Sequence, residues 1–161
     1  MKNFKELDQQ YVAHTYARWP ICVQSGQGCV LKDVEGKEYL DFTSGIGVSS
    51  LGYSHPAWVR AVSDQLQSLA HVSNLFYTQP MLKLAQSLCQ RTGMKKVFFA
   101  NSGAEANEGA IKTARKYANQ KYQGKRDRIL TLVNSFHGRT LATLSATGQE
   151  SFHTQFEPFP A

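Results

Sequence analysis

The residues best suited to chemistry lie in one turn, which reads Asn101-Ser-Gly-Ala-Glu105 and follows an apolar run. Ser102 stands three residues before Glu105, which is the spacing of a capping box at a helix start. The first amides of a helix have no intrahelical partner, and with the positive end of the helix dipole they form an anion site. Gly103 lets the backbone approach an anion without a Cβ in the way. The turn predicts a phosphate site; the alternative is an ordinary capped helix that binds nothing.

A second unusual turn, Ser135-Phe-His-Gly-Arg-Thr140, follows the apolar run at residues 129–133. Ligand sites in parallel α/β sheets lie beyond the carboxyl ends of the strands. Because both turns leave such ends, we expect them to share one crevice.

The elements that must position these turns form one βαβ unit. The apolar runs at 97–100 and 129–133 predict strands that are buried on both faces of a parallel sheet. A helix over about 104–122 connects them by a right-handed crossover. Its small side chains recur every four residues and would let it lie close on the sheet: Ala106, Ala110, Ala114 and Ala118.

The chain before this unit reads as a ribbon followed by two helices. Residues 21–41 alternate short apolar runs with glycine turns and predict a small β-ribbon. The glycine-rich stretch 43–53 predicts a loop. Ser54-His-Pro56 opens one helix, and a second runs from about 78 to 93. Residues 156–161 read as a loop.

Composition excludes several classes of protein. With 42% hydrophobic and 19% charged residues, the 161-residue chain is typical of a soluble globular protein. No apolar run reaches membrane-spanning length and the N-terminus lacks a secretory signal, so we expect no membrane partner. Cys22, Cys29 and Cys89 are scattered and form no Cys-x-x-Cys pair, which predicts no metal site and a reducing cytoplasm.

The formal net charge of +6 raises the question of nucleic-acid binding. The basic residues are densest at 112–128, where a solvated helix face explains them. Stacking aromatic residues do not alternate with these charges as single-strand binding requires. We therefore expect no nucleic-acid partner, and an affinity for anionic metabolites explains the charge equally well.

Five motifs follow one another along the chain: Gly36-Lys-Glu-Tyr-Leu-Asp-Phe42, Leu51-Gly-Tyr-Ser-His-Pro56, Ser73-Asn-Leu-Phe-Tyr-Thr78, Asn101-Ser-Gly-Ala-Glu-Ala-Asn107 and Phe136-His-Gly-Arg-Thr140. Together they resemble the class III (ornithine/acetylornithine/GABA) aminotransferases, fold-type-I enzymes that use pyridoxal 5′-phosphate. The resemblance runs from about Tyr16 to the end of the chain, and the acetylornithine subgroup agrees best.

The resemblance implies an α/β fold, namely the N-terminal part of a fold-type-I transferase. Residues 1–55 would form the N-terminal segment and β-ribbon of the small domain. Residues 56–161 would form the first, incomplete part of the large cofactor-binding domain, in which a mainly parallel sheet lies between helices.

The resemblance also assigns the cofactor-binding residues. Ser102, Gly103 and Ala104 would hold the cofactor phosphate, with the amides of Gly103 and Ala104 as the main donors. Phe136 would stack on the pyridine ring, an arrangement that suits two flat aromatic groups. Its alternative is a core aromatic beside the strand.

The same resemblance implies that Arg139 binds the substrate carboxylate, because its planar guanidinium suits a bidentate pair. Tyr16 would approach that carboxylate as well. The alternative for Arg139 is a surface arginine that caps a loop. His137 is interpreted as structural rather than as an acid–base catalyst.

The family's Schiff-base lysine and the aspartate that pairs with the pyridinium nitrogen lie beyond position 161. The resemblance therefore implies no catalytic residue in this chain, which by itself would not transaminate. The intact enzyme would be a cytoplasmic homodimer of arginine biosynthesis that transfers an amino group from N-acetylornithine, or an ornithine-like ω-amino donor, to 2-oxoglutarate. The alternative is a non-catalytic module that uses the same anion turn for binding or assembly.

Overall fold

The computed structural model describes residues 4–160. The first three residues of the N-terminal segment and the last residue of the predicted terminal loop lie outside this range. The chain divides into two compact units, one up to Phe76 and the other from Tyr77 onward.

The first unit is built around an antiparallel sheet of three strands in the order β1-β2-β3. The register pairs Gln27 with Val30 and Lys32 with Glu38, so both connections are tight turns. The predicted ribbon is therefore confirmed. The elements of this unit are α1 (Phe4–Tyr11), β1 (Val23–Gln27), β2 (Val30–Asp33), β3 (Glu38–Leu40), α2 (Ser44–Gly47) and α3 (Pro56–Ser68).

The glycine-rich stretch 43–53 contains α2, a single turn of unusual handedness. Every residue from Ser44 to Gly47 has a positive φ, between 49° and 77°. Ile46 is among them at 61°, a conformation that a β-branched side chain rarely adopts. The carboxylate of Asp41 holds the start of this turn, because it accepts hydrogen bonds from the backbone amides of Thr43 and Ser44.

The second unit is mainly helical. Its helices are α4 (Gln79–Thr92), α5 (Gly103–Tyr122) and α6 (Leu141–Ala146), and a short 3₁₀ turn covers Glu150–Phe152. The two predicted helices of this part of the chain are confirmed. Gly93 ends α4 in the left-handed conformation that favours glycine. None of the helices in residues 4–160 combines the length and the apolar character needed to cross a membrane.

Helix α6 was not predicted from the sequence. Thr140 caps it, and its backbone amide and side chain exchange hydrogen bonds with the hydroxyl and backbone of Thr143. The core of this unit forms around the helix, where Thr143, Leu144 and Thr147 are buried together with Ala118 of α5.

The prediction of two buried parallel strands is wrong for the described chain. Residues 97–100 and 129–133 pair with no strand among residues 4–160. Most of their apolar side chains are exposed: Phe98 is 72% exposed and Leu130 is 93% exposed. A strand exists only where a neighbouring ladder satisfies its backbone, and an apolar run does not by itself supply that neighbour.

The predicted alanine face of α5 is also wrong, except at its last member. Ala106, Ala110 and Ala114 are exposed, and only Ala118 is buried. The side of α5 that packs is instead marked by partly buried residues at helical spacing: Ala104, Asn107, Glu108 and Ile111. This face meets the second turn and α6.

Candidate functional site

The first predicted turn forms a capped helix start. Ser102 has extended backbone angles, and its hydroxyl accepts a hydrogen bond of 3.2 Å from the amide of Glu105. The Glu105 carboxylate reaches back to the amide of Asn101 at 2.6 Å. The capping arrangement is therefore confirmed, although the returning bond ends one residue before the cap.

The first two amides of α5 face open space at the start of the helix. Within residues 4–160, neither the Gly103 nor the Ala104 N–H donates to a protein acceptor. A Cβ placed on Gly103 would find no heavy atom within 4 Å. Since the φ of Gly103 is not in the left-handed region, backbone conformation does not require glycine there. Open space beside two unpartnered donors fits an anion at the positive end of a helix.

The structure brings the second turn against this helix start. The side-chain amide of Asn107 donates to the His137 carbonyl at 2.7 Å. The hydroxyl of Thr140 donates to the carboxylate of Glu108. Residues 101–107 and 135–140 thus form one site, as the strand-end argument predicted, although the strands themselves do not pair.

Phe136 and Arg139 project from the second turn and lie together. The Arg139 guanidinium carbon is 5.4 Å from the centre of the Phe136 ring and 6.0 Å from that of Phe152. The two phenylalanine rings are 5.7 Å apart and tilted. The Phe136 side chain is half-exposed, so it keeps an accessible aromatic surface beside the cation.

His137 is held by hydrogen bonds at its backbone and its ring, and its structural interpretation stays a prediction. Its backbone amide donates to the Thr147 hydroxyl at 3.0 Å, and its Nδ1 lies 3.3 Å from the Ser135 hydroxyl. The Thr147 hydroxyl in turn donates to the Thr143 carbonyl. Two almost fully buried threonines therefore anchor the turn from the side of α6.

Tyr16 belongs to the first unit. Its side chain is 57% exposed, and the guanidinium of Arg18 lies 5.7 Å from its ring centre. The predicted contact of Tyr16 with a substrate carboxylate remains a prediction, as do the ligand roles assigned to the residues of the second unit.

Hydrogen bonds shift the pKa values of two carboxylates and their tyrosine partners in the first unit. Hydrogen bonds from the Thr43 hydroxyl and the Tyr53 hydroxyl lower the pKa of Asp41 to about 2. The same contact with Asp41 raises the pKa of Tyr53. In Asp33, hydrogen bonds from Tyr39 and two backbone amides outweigh burial and lower the pKa. These carboxylates hold turns together and are saturated with donors.

Sequence reasoning missed three residues that shape the site: Asn107, Thr147 and Phe152. Asn107 is the last residue of the motif at 101–107 and contacts a residue 30 positions later. Its place on the same side of the helix as Ala104, one turn further along, was the only available signal. Nothing in the local pattern distinguishes Thr147 or Phe152.

The arrangement fits a phosphate ester that is attached to a flat ring. Two unpartnered amides and open space suit the phosphate, while a half-exposed phenylalanine suits the ring. A planar cation next to that ring suits a carboxylate on a second ligand.

Known proteins are similar to this chain over nearly its whole length. The family model for class-III aminotransferases matches residues 11–161. The chain is 59% identical to an acetylornithine aminotransferase of Haemophilus ducreyi over 159 residues, which cover 99% of this chain and 40% of that protein. It therefore spans about two fifths of that relative's length.

Solved structures give the same result. An aminotransferase of Bacillus anthracis superposes with a TM-score of 0.90 at 37% identity, over 100% of this chain and 38% of that one. An ornithine aminotransferase of Toxoplasma gondii, described with partial occupancy of pyridoxal phosphate at its active site, has a TM-score of 0.90 at 30% identity. It is matched over 98% of this chain and 38% of its own length. The predicted fold class, the N-terminal part of a fold-type-I transferase, is confirmed.

Proposed function

Because the chain belongs to the class-III aminotransferase family, whose members depend on pyridoxal 5′-phosphate, we propose that the protein carrying it is an acetylornithine aminotransferase. It transfers an amino group from N-acetylornithine, or an ornithine-like ω-amino donor, to 2-oxoglutarate in arginine biosynthesis. The observation that supports N-acetylornithine as the amino donor is the 59% identity to the acetylornithine aminotransferase of Haemophilus ducreyi.

The first turn holds the cofactor phosphate in this proposal. The amides of Gly103 and Ala104 donate to the phosphate oxygens, and Ser102 fixes the helix start that aims them. Support comes from the open space at Gly103 and from the absence of protein acceptors for these amides within the described range. When bound, pyridoxal phosphate supplies the electron sink that amino-group transfer needs.

The second turn supplies the ring and carboxylate contacts. Phe136 would pack against the pyridine ring and keep water from it, while the Arg139 guanidinium would orient the substrate through its carboxylate. The accessible surface of Phe136 and the planar cation beside it support these roles. Tyr16 completes the carboxylate contacts in the intact protein.

The 161 residues by themselves do not transaminate in this proposal. None of their lysines matches the family's Schiff-base position, so the catalytic lysine is supplied by sequence beyond position 161. Residues 1–55 belong to the small domain and residues 56–161 to the cofactor-binding domain. We place the intact enzyme in the cytoplasm as a homodimer.

A comparison of amino donors tests the proposal. The intact protein carrying this chain is loaded with pyridoxal phosphate, and the formation of glutamate from 2-oxoglutarate is measured with N-acetylornithine, ornithine and 4-aminobutyrate. We expect kcat/KM for N-acetylornithine to exceed the other two by roughly tenfold or more.

The same assay on the 161-residue chain is expected to give no turnover. A preference for ornithine or 4-aminobutyrate would contradict the proposed donor. Cofactor-dependent turnover by the 161 residues would show that one of their own lysines serves the reaction. Failure of the intact protein to bind the cofactor would leave an anion-binding or assembly module as the better description.

A further inference from the structure

The proposed roles of Phe136 and Arg139 raise the question of what holds them at the start of α5. Both lie on the turn at 135–140, which follows a segment without strand pairing in the described chain. No sheet within residues 4–160 therefore fixes the position of the turn. Backbone bonds join Asn134 and Ser135 to Gly148 at the start of the turn. The residues after Ser135 are held by side-chain bonds to the helices next to them.

Two hydrogen bonds hold the backbone of His137. On one side its amide donates to Thr147, just after α6, at 3.0 Å. On the other side its carbonyl accepts from the Asn107 side chain in α5 at 2.7 Å. The second bond connects this peptide to the helix that carries the predicted phosphate site. The Thr140 hydroxyl makes a further bond to that helix, at Glu108, but at the far end of the turn from Phe136.

We infer that Asn107 is a positioning residue, which fixes the Phe136 ring and the Arg139 cation relative to the amides of Gly103 and Ala104. This inference rests on the proposed function. Asn107 is partly buried and its carboxamide donor is directed at a single carbonyl. Ala104 lies one helical turn before it, so the bond is made on the same side of α5 that Gly138 contacts.

The bond sets the distance between two subsites rather than building either one. The phosphate donors belong to the backbone at the helix start, which Ser102 caps independently of Asn107. The ring and cation belong to the loop. Removing the Asn107 donor should therefore weaken ligands that need both subsites and spare a ligand that needs the helix start alone.

Two phosphate ligands test this separation in the intact protein that carries the chain, prepared without cofactor. Inorganic phosphate probes the helix start. Pyridoxine 5′-phosphate adds the ring but has no aldehyde, so it cannot condense with a lysine. For Asn107→Leu, which removes the donor and keeps the branching, we expect the Kd of pyridoxine 5′-phosphate to rise about threefold to tenfold, the range that an aromatic contact accounts for. The Kd of inorganic phosphate should change by less than about twofold.

Hydrogen exchange gives a second readout that needs no ligand. The backbone amides of residues 136–140 should exchange faster in the Asn107→Leu protein, whereas those of α4 should not change. Asn119→Leu is the matched control, because it makes the same change at an exposed position of α5 and should leave both readouts unaltered.

Each result bears on the inference. Equal weakening of both ligands, or faster exchange throughout the second unit, would show that Asn107 supports the fold generally and would overturn the positioning role. Unchanged affinity and exchange would overturn it as well. If the unsubstituted protein binds neither ligand, the proposed function fails, and the exchange of residues 136–140 still decides whether Asn107 holds the turn.

Discussion

Gly138 of the second turn lies directly against Ala104 at the start of α5. A Cβ placed on Gly138 would come within 2.7 Å of the Ala104 Cβ and 2.6 Å of the Thr143 hydroxyl. The φ of Gly138 is 136°, which L-amino-acid side chains rarely adopt. The close approach of the two turns therefore depends on glycine at this position.

Gly138→Ala should separate the two turns. The overpacking adds about 1–3 kcal/mol to the cost of the backbone conformation, and part of it will be relieved by movement of the loop away from Ala104. We expect a lower free energy of unfolding, measured with urea, and weaker binding of pyridoxal phosphate.

Gly93→Ala is the control for the backbone term. Gly93 also has a positive φ, of 73°, but a Cβ there would meet nothing within 4 Å. Gly93→Ala should therefore lower the free energy of unfolding only by the conformational penalty of about 1–2 kcal/mol. It should leave the affinity for the cofactor unchanged. Equal loss of affinity in the two proteins would contradict the close contact as its cause.

Ser102 permits a test that separates helix capping from anion binding. Asn and Asp both cap helices well, so Ser102→Asn and Ser102→Asp should keep the free energy of unfolding within roughly 0.5 kcal/mol of the original. Only the aspartate places a negative charge at the phosphate site. We expect Ser102→Asp to bind inorganic phosphate much more weakly than Ser102→Asn, as measured by calorimetry.

The outcome of that pair is decisive for the turn. Ser102→Ala shows the effect of losing the helix cap and should lower the free energy of unfolding by about 1 kcal/mol. Identical phosphate affinities for the Asn and Asp proteins would mean that the anion does not bind at the start of α5.

Gly103→Ala should stabilise the protein and weaken the site. The added methyl group enters open space and Gly103 has helical geometry, so the entropy lost by glycine is recovered, worth about 0.4–1 kcal/mol. The same methyl group occupies the space through which we propose the phosphate approaches. The midpoint of thermal unfolding and the Kd of pyridoxal phosphate should therefore both rise, because the protein becomes more stable while its affinity for the cofactor falls.

Gly109→Ala in the same helix is the contrast. Its Cβ would lie 2.9 Å from the Phe98 ring, so it should destabilise without affecting phosphate affinity. If Gly103→Ala leaves the Kd unchanged, the space beside Gly103 is not the phosphate site.

The local signals in the sequence were sufficient for the helices and their ends. Ser102, Gly93 and Pro56 each specify a helix boundary through their own backbone or side-chain chemistry, and the structure has a boundary at each. The ribbon was equally readable, because its turns are short and its strands are neighbours in sequence.

Features that depend on residues far apart in the chain could not be predicted from the sequence. The apolar runs at 97–100 and 129–133 have strand composition, but a strand needs a partner that the described residues do not supply. The alanine stripe of α5 predicted the wrong face, since the neighbours of a helix decide which side is buried. The bond between Asn107 and His137 spans 30 residues and has no local pattern.

Arg139→Lys should lose affinity for the substrate carboxylate. Lysine keeps the charge but not the planar fork, and the loss of one charge-assisted hydrogen bond is worth about 1.5–3 kcal/mol, or about 10–100-fold in KM. We expect KM for 2-oxoglutarate to rise in this range in the intact enzyme, with kcat reduced less. Arg126→Lys is a matched control, because Arg126 also lies over an aromatic ring, that of Tyr122 at 4.3 Å. A surface role for Arg139 would give the same kinetics for both proteins.

Acid should loosen the turn that contains α2 through protonation of Asp41. Its pKa in the folded protein is about 2, below the ordinary value of 3.8, chiefly because the hydroxyls of Thr43 and Tyr53 donate to the charged form. Because the pKa is lowered, the charged carboxylate stabilises the fold fully when the pH is above the ordinary pKa of 3.8. This contribution is lost as the pH falls through about 2. NMR titration of the Asp41 carboxyl carbon and of the Thr43 amide should show this midpoint. Tyr53→Phe removes one donor and should move the midpoint upward, and an unchanged midpoint would contradict the contribution of Tyr53 to the Asp41 pKa.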